Sequence, residues 1–440
     1  MTKKHGGDYA DGVMFNTTDL SISQRLGKPE NIERSETSAI GLRVFVKKDN
    51  GEISQANVSS SDLSEPALEE LADNAVKMAR LAPSDKDYIL APEELYPSDI
   101  PELELYDSYE PSPEWLLDNC QEAEEAALSV SGISNSEGAD ASYRKSNVQL
   151  AIMGKNGTSF SRFYKNSSFS ISVCVLAGEG QKMERDYDFS SVRHKEDLDS
   201  PKSIGLSAAK KTLAKLNPRK IKSTTAPIVF DPRVGKSILS ILTSSISGNS
   251  IVRKSSFLKE SMGKKIFPEN ISIIDNPHII RGLSSKPFDM EGVAGKELSI
   301  IKDGVLRSWL LDMRTAIKLG MTTTGHASRG LSSPPSPSAS NVYMEAGKIT
   351  PQELISDIKN GLYLTETFGM GINTVTGDYS QGAAGFWIEN GEITYPVSEI
   401  TIAGNLKDMF SNLTAANDLV FRYSKNTPTI RIENMTIAGV

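Results

Sequence analysis

The chain has 440 residues, 38% hydrophobic and 24% charged, with a formal net charge of -8. That length exceeds one compact core and suits two domains of a folded, soluble protein. The acidic balance excludes a large nucleic-acid footprint, which needs a basic face, and leaves open only a local basic patch. Two cysteines, Cys120 and Cys174, cannot build a disulfide framework. They read as reduced core thiols of a cytoplasmic protein. The start, "MTKKHGGDYADG", is charged and glycine-rich and is not a signal peptide. No run of about 18 apolar residues is present, so no membrane span is expected.

The first half alternates hairpins and helices. "SAIGLRVFVKK" (38–48) is β-rich and meets the turn signal Asp49-Asn50-Gly51, then "EISQANVSS". A helix follows Ser64 and Pro66, with Leu68, Leu71, Ala72, Ala75 and Ala79 on one face. Ser112-Pro113 and Ser200-Pro201 each place a cap before a proline in the first turn, and each predicts a helix. Between them, "SNVQLAIMGKNGTSFSRFY" predicts two strands around Lys155-Asn156-Gly157, and Ser168–Gly178 alternates polar and apolar residues. The third helix stops before Asn217-Pro218. The polar, basic, proline-bounded segment 217–227 places the domain boundary, giving domains 1–222 and 223–440.

The second half is richer in glycine and strands. "APIVFDP" (226–232) reads as a buried strand and Arg233–Ser247 as one helix. "ISIIDNP" and "KELSIIKDGVLRSWLLD" supply further strands and a turn at Lys302-Asp303-Gly304. "GFWIENGEITY" is a hairpin around Asn390-Gly391, and "NLKDMFSNL" a short amphipathic helix. "TIAG" occurs at 401–404 and 436–439, a weak hint of two equivalent strands. Gly325–Asn341, rich in serine and proline, reads first as a surface loop and otherwise as a segment lining a cleft. The fold class is therefore α+β: hairpins and helices first, then a β-dominated domain.

Catalytic groups are scarce. His5, His194, His278 and His326 are far apart, and none is followed by Glu. "HKED" at 194–197 reads as a solvated loop. "GHASRG" does not have the spacing of a nucleophile elbow. Ser256–Lys259 matches S-x-x-K by chance composition, and "GMGI" at 369–372 lacks the third glycine of a dinucleotide fingerprint. The acids Glu366, Asp378, Glu389, Glu392 and Glu399 leave a paired set open. Trp387 beside Phe386 puts one ring on each face of a strand, one for the core and one for a ligand or partner surface.

"TETFGMGINTVTGDYSQGAAGFWIENGEITYPVSEITIAGNLKDM" resembles the C-terminal signature of the PmbA/TldE branch of the TldD/PmbA family, often labelled modulators of DNA gyrase. "TGHASRGLSSPPSPSASN", "DPRVGKSILSIL" and the segment from Ser38 to Arg80 resemble other family stretches in family order, so the likeness spans nearly the whole chain. The resemblance implies a cytoplasmic two-chain metalloprotease. In it a TldD-type chain with an HExxxH motif supplies zinc and the PmbA-type chain pairs with it. The implied substrates are peptides or small unfolded proteins, of the peptide-antibiotic leader or antitoxin type. A direct contact with DNA is not implied.

The TldD-type motif follows a "DP" strand. The matching residues here are Leu242, Thr243, Ser244, Ser245, Ile246, Ser247, Gly248 and Asn249, which include no strong zinc ligand. Two His five residues apart on a regular helix lie about 140° apart, so the motif demands a distorted helix. This chain has no evident need of that distortion. The expectations are no catalytic residue, no metal held by this chain, and zinc in the partner. Gly369, Gly371, Asp378, Gly385, Trp387 and Glu399 are the candidate peptide-binding or interface residues. The alternative is a non-enzymatic homodimer that captures peptides.

Overall fold

The computed structural model of the protein describes residues 1–154 and 157–439, so the turn expected at Lys155-Asn156 lies outside the described residues. The amino-terminal half has strands β1 (Tyr9–Arg25), β2 (Lys28–Lys47), β3 (Ile53–Ser60), β4 (Ile133–Gly154), β5 (Gly157–Ala177) and β6 (Glu184–Val192). They form one antiparallel sheet in the order β3-β2-β1-β4-β5-β6. Helices α1 (Glu65–Leu81), α2 (Pro113–Leu128) and α3 (Pro201–Ala214) begin where caps and prolines predict. The Ser112 and Ser200 hydroxyls accept the backbone N–H of Trp115 and Ser203.

Both faces of β1 are used. Leu20 and Ile22 pack with Ala139 and Ala141 beneath α2 and α3. Val13 and Phe15 enter a second core with Leu150, Phe160 and, from the other half of the chain, Phe288 and Met290. The two halves therefore share apolar core.

The carboxy-terminal half begins with β7 (Thr224–Phe230), α4 (Pro232–Ser245) and α5 (Gly248–Val252). Next come β8 (Ile273–Asp275), β9 (Leu298–Lys302), β10 (Val305–Leu306), α6 (Met313–Leu319), β11 (Ala327–Ser328), β12 (Ser336–Pro337) and β13 (Val342–Met344). Then α7 (Pro351–Ile355), β14 (Asn360–Ile372), β15 (Asp378–Glu389), β16 (Glu392–Asn405) and α8 (Leu406–Ser411) follow. The chain ends in β17 (Leu413–Ala415), β18 (Lys425–Asn426) and β19 (Ile430–Ala438). One sheet runs β16-β15-β14-β7-β19-β17, and β16 pairs again with β19 to close a barrel. The closing pair is the repeated tetrapeptide, with Thr401 opposite Ala438 and Ala403 opposite Thr436. The hairpin turn at Asn390-Gly391 has φ of 50° and 82°, as its sequence predicts.

Two expectations need correction. The helix from Arg233 does not run to Ser247: it ends at Ser245, and Ser247 is extended before α5. Leu310 holds the break. It accepts the Gly248 N–H at 2.8 Å and donates to Ile246 O at 3.1 Å. Segment 325–341 is not simply a surface loop. His326, Ala327, Arg329 and Ser340 are buried, while Ser332 and Ser333 remain outside.

Candidate functional site

The broken helix sets one wall of a cleft of about 500 Å³. Thr243 and Ser244 come from the last turn of α4, Ser247 from the break, and Ser250 from α5. The opposite wall is Pro337–Ser340, beside Ser424 and Lys425. Among the described lining residues there is one cation, Lys425, and no carboxylate.

The residues behind the wall fix its shape. The Asp275 carboxylate accepts the backbone N–H of Ser340 at 2.8 Å and also its hydroxyl. His326 Nε2 lies 3.5 Å from Asp275, while its Nδ1 faces Thr324 O at 2.7 Å. The Lys425 ammonium donates to Ser240 Oγ at 3.3 Å. Burial lowers the pKa of Lys425, with Asp275 opposing the shift. Lys425, Ser338, Ser340 and His326 were not singled out as site residues from sequence. Only the reading of 325–341 as a cleft-lining segment pointed toward them.

The donor set does not fit a zinc ion. Thr243 Oγ1 donates to Leu239 O at 2.9 Å, and Ser245 Oγ is buried without a partner. Leu242, Ile246 and Gly248 bring no side-chain ligand, and the remaining positions bring neutral hydroxyls and the amide of Asn249. Hydroxyls and one cation suit carbonyls and carboxylates of a bound chain.

A larger cleft of about 720 Å³ separates the halves near α3 and the start of α4. Ion pairs cross it. Arg233 meets Asp186 at 2.6 Å and Arg422 meets Asp188 at 2.8 Å, while Lys215 reaches Glu366, on a neighbouring cleft, at 2.8 Å. Burial works to raise the Asp186 pKa, but Arg233 and Lys215 hold it below the ordinary carboxylate range. Phe386 lines this cleft.

The six glycine, acid and aromatic candidates are not brought to one place. Trp387 is in the barrel core, 7% exposed, so the surface ring of the pair is Phe386. Trp387 is therefore corrected from a contact residue to a core residue, because its face of β15 points inward. Gly385 and Glu399 line a third cleft, and Glu399 pairs with Lys220 at 3.0 Å. A Cβ at Gly385 or Gly371 would collide with the backbone of Tyr363 or Ser380 on a neighbouring strand. Gly369, with φ of 89°, sits at an open bulge. Asp378 accepts the Thr376 hydroxyl at 2.6 Å at the mouth of the hairpin. Glu366 pairs with Lys215 and Glu399 with Lys220, and Glu389 and Glu392 face each other only across the exposed turn.

Three family signatures match in chain order. Residues 12–79 match PmbA/TldA metallopeptidase domain 1, 106–216 the central domain, and 223–439 the C-terminal domain. The chain belongs to the PmbA/TldD family of metallopeptidases. It is 38% identical to Metalloprotease PmbA of Escherichia coli O157:H7, over 98% of this chain and 92% of that one. A crystal structure from Bacteroides thetaiotaomicron, named as a candidate modulator of DNA gyrase, superposes with a TM-score of 0.88 at 27% identity, covering 100% of this chain and 96% of that one. TldE from Thermococcus kodakarensis has the same fold, with a TM-score of 0.86 at 22% identity over 100% and 98% of the two chains.

Proposed function

We infer that this chain is the PmbA/TldE-type subunit of a cytoplasmic two-chain metalloprotease. It shapes the chamber and pairs with a TldD-type chain that carries HExxxH and the zinc. The observation that carries this reading is the cleft at Leu242–Asn249. The segment that the resemblance sets against the motif contributes Thr243, Ser244 and Ser247 to a wall of hydroxyls, with Lys425 as its cation. Such a wall orients an extended peptide through its carbonyls and its terminal carboxylate, while hydrolysis belongs to the partner. Substrates are peptides or small unfolded proteins. Nucleic acid is not a direct partner, since the chain is acidic. No helix among the described residues is long and apolar enough to cross a membrane.

The hairpin of β14 and β15 supplies a surface for the partner. Phe368, Met370 and Val375 are 49%, 98% and 54% exposed at and beside its connecting turn. A second reading, a homodimer that binds peptides without cleaving them, draws on the same metal-free donor set.

The experiment is reconstitution. The chain mixed with the HExxxH paralogue of its own organism is expected to cleave unfolded peptides, and a chelator to stop cleavage. Either subunit alone is expected to be inactive. Peptide turnover by this chain alone, with a transition metal held by its own residues, overturns the proposal. Peptide binding with no gain from the paralogue favours the second reading.

A further inference from the structure

The far end of the β1–β2 hairpin is an open sheet edge. β3 pairs with β2 only over Ile40–Lys47, and β1 occupies the other side throughout. Among the described residues, nothing pairs with the outer side of residues 28–38. Every residue from Arg25 to Arg34 is exposed, and Ile32 is 57% exposed.

The arm is nonetheless held firmly. The Glu124 carboxylate on α2 is buried and accepts the N–H groups of Leu26 at 2.8 Å and Gly27 at 2.9 Å at the turn. Gln24 Nε2 donates to the same carboxylate at 3.2 Å. The edge is thus preorganised and leaves its main-chain groups unpaired on one side.

The sequence of the edge, "KPENIERSE", is electrically self-complementary about Ile32. An antiparallel copy centred there sets Ile32 against Ile32, Glu30 against Arg34 and Asn31 against Glu33. Carried outward, the same register sets Lys28 against Glu36. Guarding charges on an edge usually repel a second copy. Here Lys28, Glu30, Arg34 and Glu36 would each meet an opposite charge and Glu33 the neutral Asn31, and a twofold axis makes both charge pairs occur twice.

We propose that two copies of this chain associate through the β2 edge, as an antiparallel strand pair on a twofold axis at Ile32. Arg34 already holds Glu36 of its own strand at 2.6 Å, so a copy's Glu30 completes a carboxylate–guanidinium–carboxylate row. The association is independent of the proteolytic reading and stands whether or not that reading holds. Its small area makes it a weak, concentration-dependent dimer.

The test is sedimentation of the chain purified without other subunits, over a concentration series. The unaltered chain is expected to show a monomer–dimer equilibrium. E30R alone and R34E alone are each expected to weaken it by about tenfold or more, because each creates two like-charge pairs across the axis. The double variant E30R/R34E is expected to restore it. An equimolar mixture of the two single variants is expected to form mixed dimers, since every cation of one chain then faces a carboxylate of the other. That rescue also shows that both single variants are folded. A chain that stays monomeric throughout, or a dimer indifferent to both reversals, overturns the proposal.

Discussion

Two buried polar regions of this chain are made of opposite materials. Where the amino-terminal sheet meets the carboxy-terminal half, Asp11 accepts Arg43 Nε at 2.8 Å and also pairs with Arg329. Glu291 lies 3.9 Å from Arg43 and accepts the Met313 N–H at 2.8 Å. Asp11, Arg43, Glu291 and Arg329 are all at most 8% exposed. The cleft at Thr243–Ser250, by contrast, is open and lined with hydroxyls and a single ammonium. Dense charge here marks a joint closed to solvent, and sparse polarity lines a cleft that stays open. Counting ionisable groups would point to the joint and not to the cleft that the proposed function uses.

The comparison breaks most sharply at Asp11. Asp11→Ala strips the shared carboxylate from Arg43 and Arg329, leaving two guanidiniums buried together. Removing one partner of a buried pair costs about 3–5 kcal/mol, so a large fall in the urea midpoint is expected. A loss below about 1 kcal/mol would show that the cluster is not the joint.

The same cluster gives opposite pH limbs. Burial raises the Asp11 pKa, but Arg329 and Arg43 outweigh it and hold the carboxyl below its ordinary value. Its contribution is present above the unfolded pKa and is lost as pH falls. Burial pushes Glu291 up to about 8, against Arg43 and with help from Asp289 and Asp312. Its contribution is complete below its unfolded value, near 4.5, and is lost as pH rises through about 8. Glu291→Gln keeps the acceptor for Met313 and cannot ionise. Its stability is expected to hold between about pH 5 and 8, where that of the unaltered chain falls progressively. Parallel curves for the two proteins would deny the shift.

A smaller effect is expected where the two regions differ in packing. A Cβ at Gly248 would press on the side chains of Thr315 and Leu311. Gly248→Ala is expected to cost about 1–3 kcal/mol by overpacking and to move the wall at Ser247. Thermal unfolding with peptide binding measured alongside separates the two consequences.

Much of the fold was readable because its signals are local. Ser112-Pro113, Ser200-Pro201 and Asn390-Gly391 each carry their own cap or turn geometry within a few residues. β1 and the first half of β2 were not read. Asn16–Asp19 are half-buried and 28–34 exposed, so no clean alternation marks them as strand. The break at Ser247 was missed because Leu310, distant in sequence, makes it. The alternation of Phe386 and Trp387 shows that the rings part, but not which face is the core. Of the cleft, the segment Leu242–Asn249 was legible through its family resemblance. Lys425 was not, because only the fold carries β18 to that wall.

The finest test of the comparison is Lys425→Met. The substitution keeps the stem and removes the cation. Lys425 is half-buried and its ammonium reaches the Ser240 hydroxyl at 3.3 Å, and the buried Asp275 that favours its charge keeps the N–H and hydroxyl of Ser340 as donors when the ammonium goes. A stability change within about 0.5 kcal/mol is expected, a fraction of the Asp11 effect. Binding is expected to respond instead. The unaltered chain, in complex with its HExxxH partner, should prefer a peptide with a free terminal carboxylate over the same peptide amidated, and Lys425→Met should erase that preference while retaining the amidated peptide. A preference that survives the substitution would remove Lys425 from the cleft's function and leave the wall's hydroxyls to hold the main chain alone.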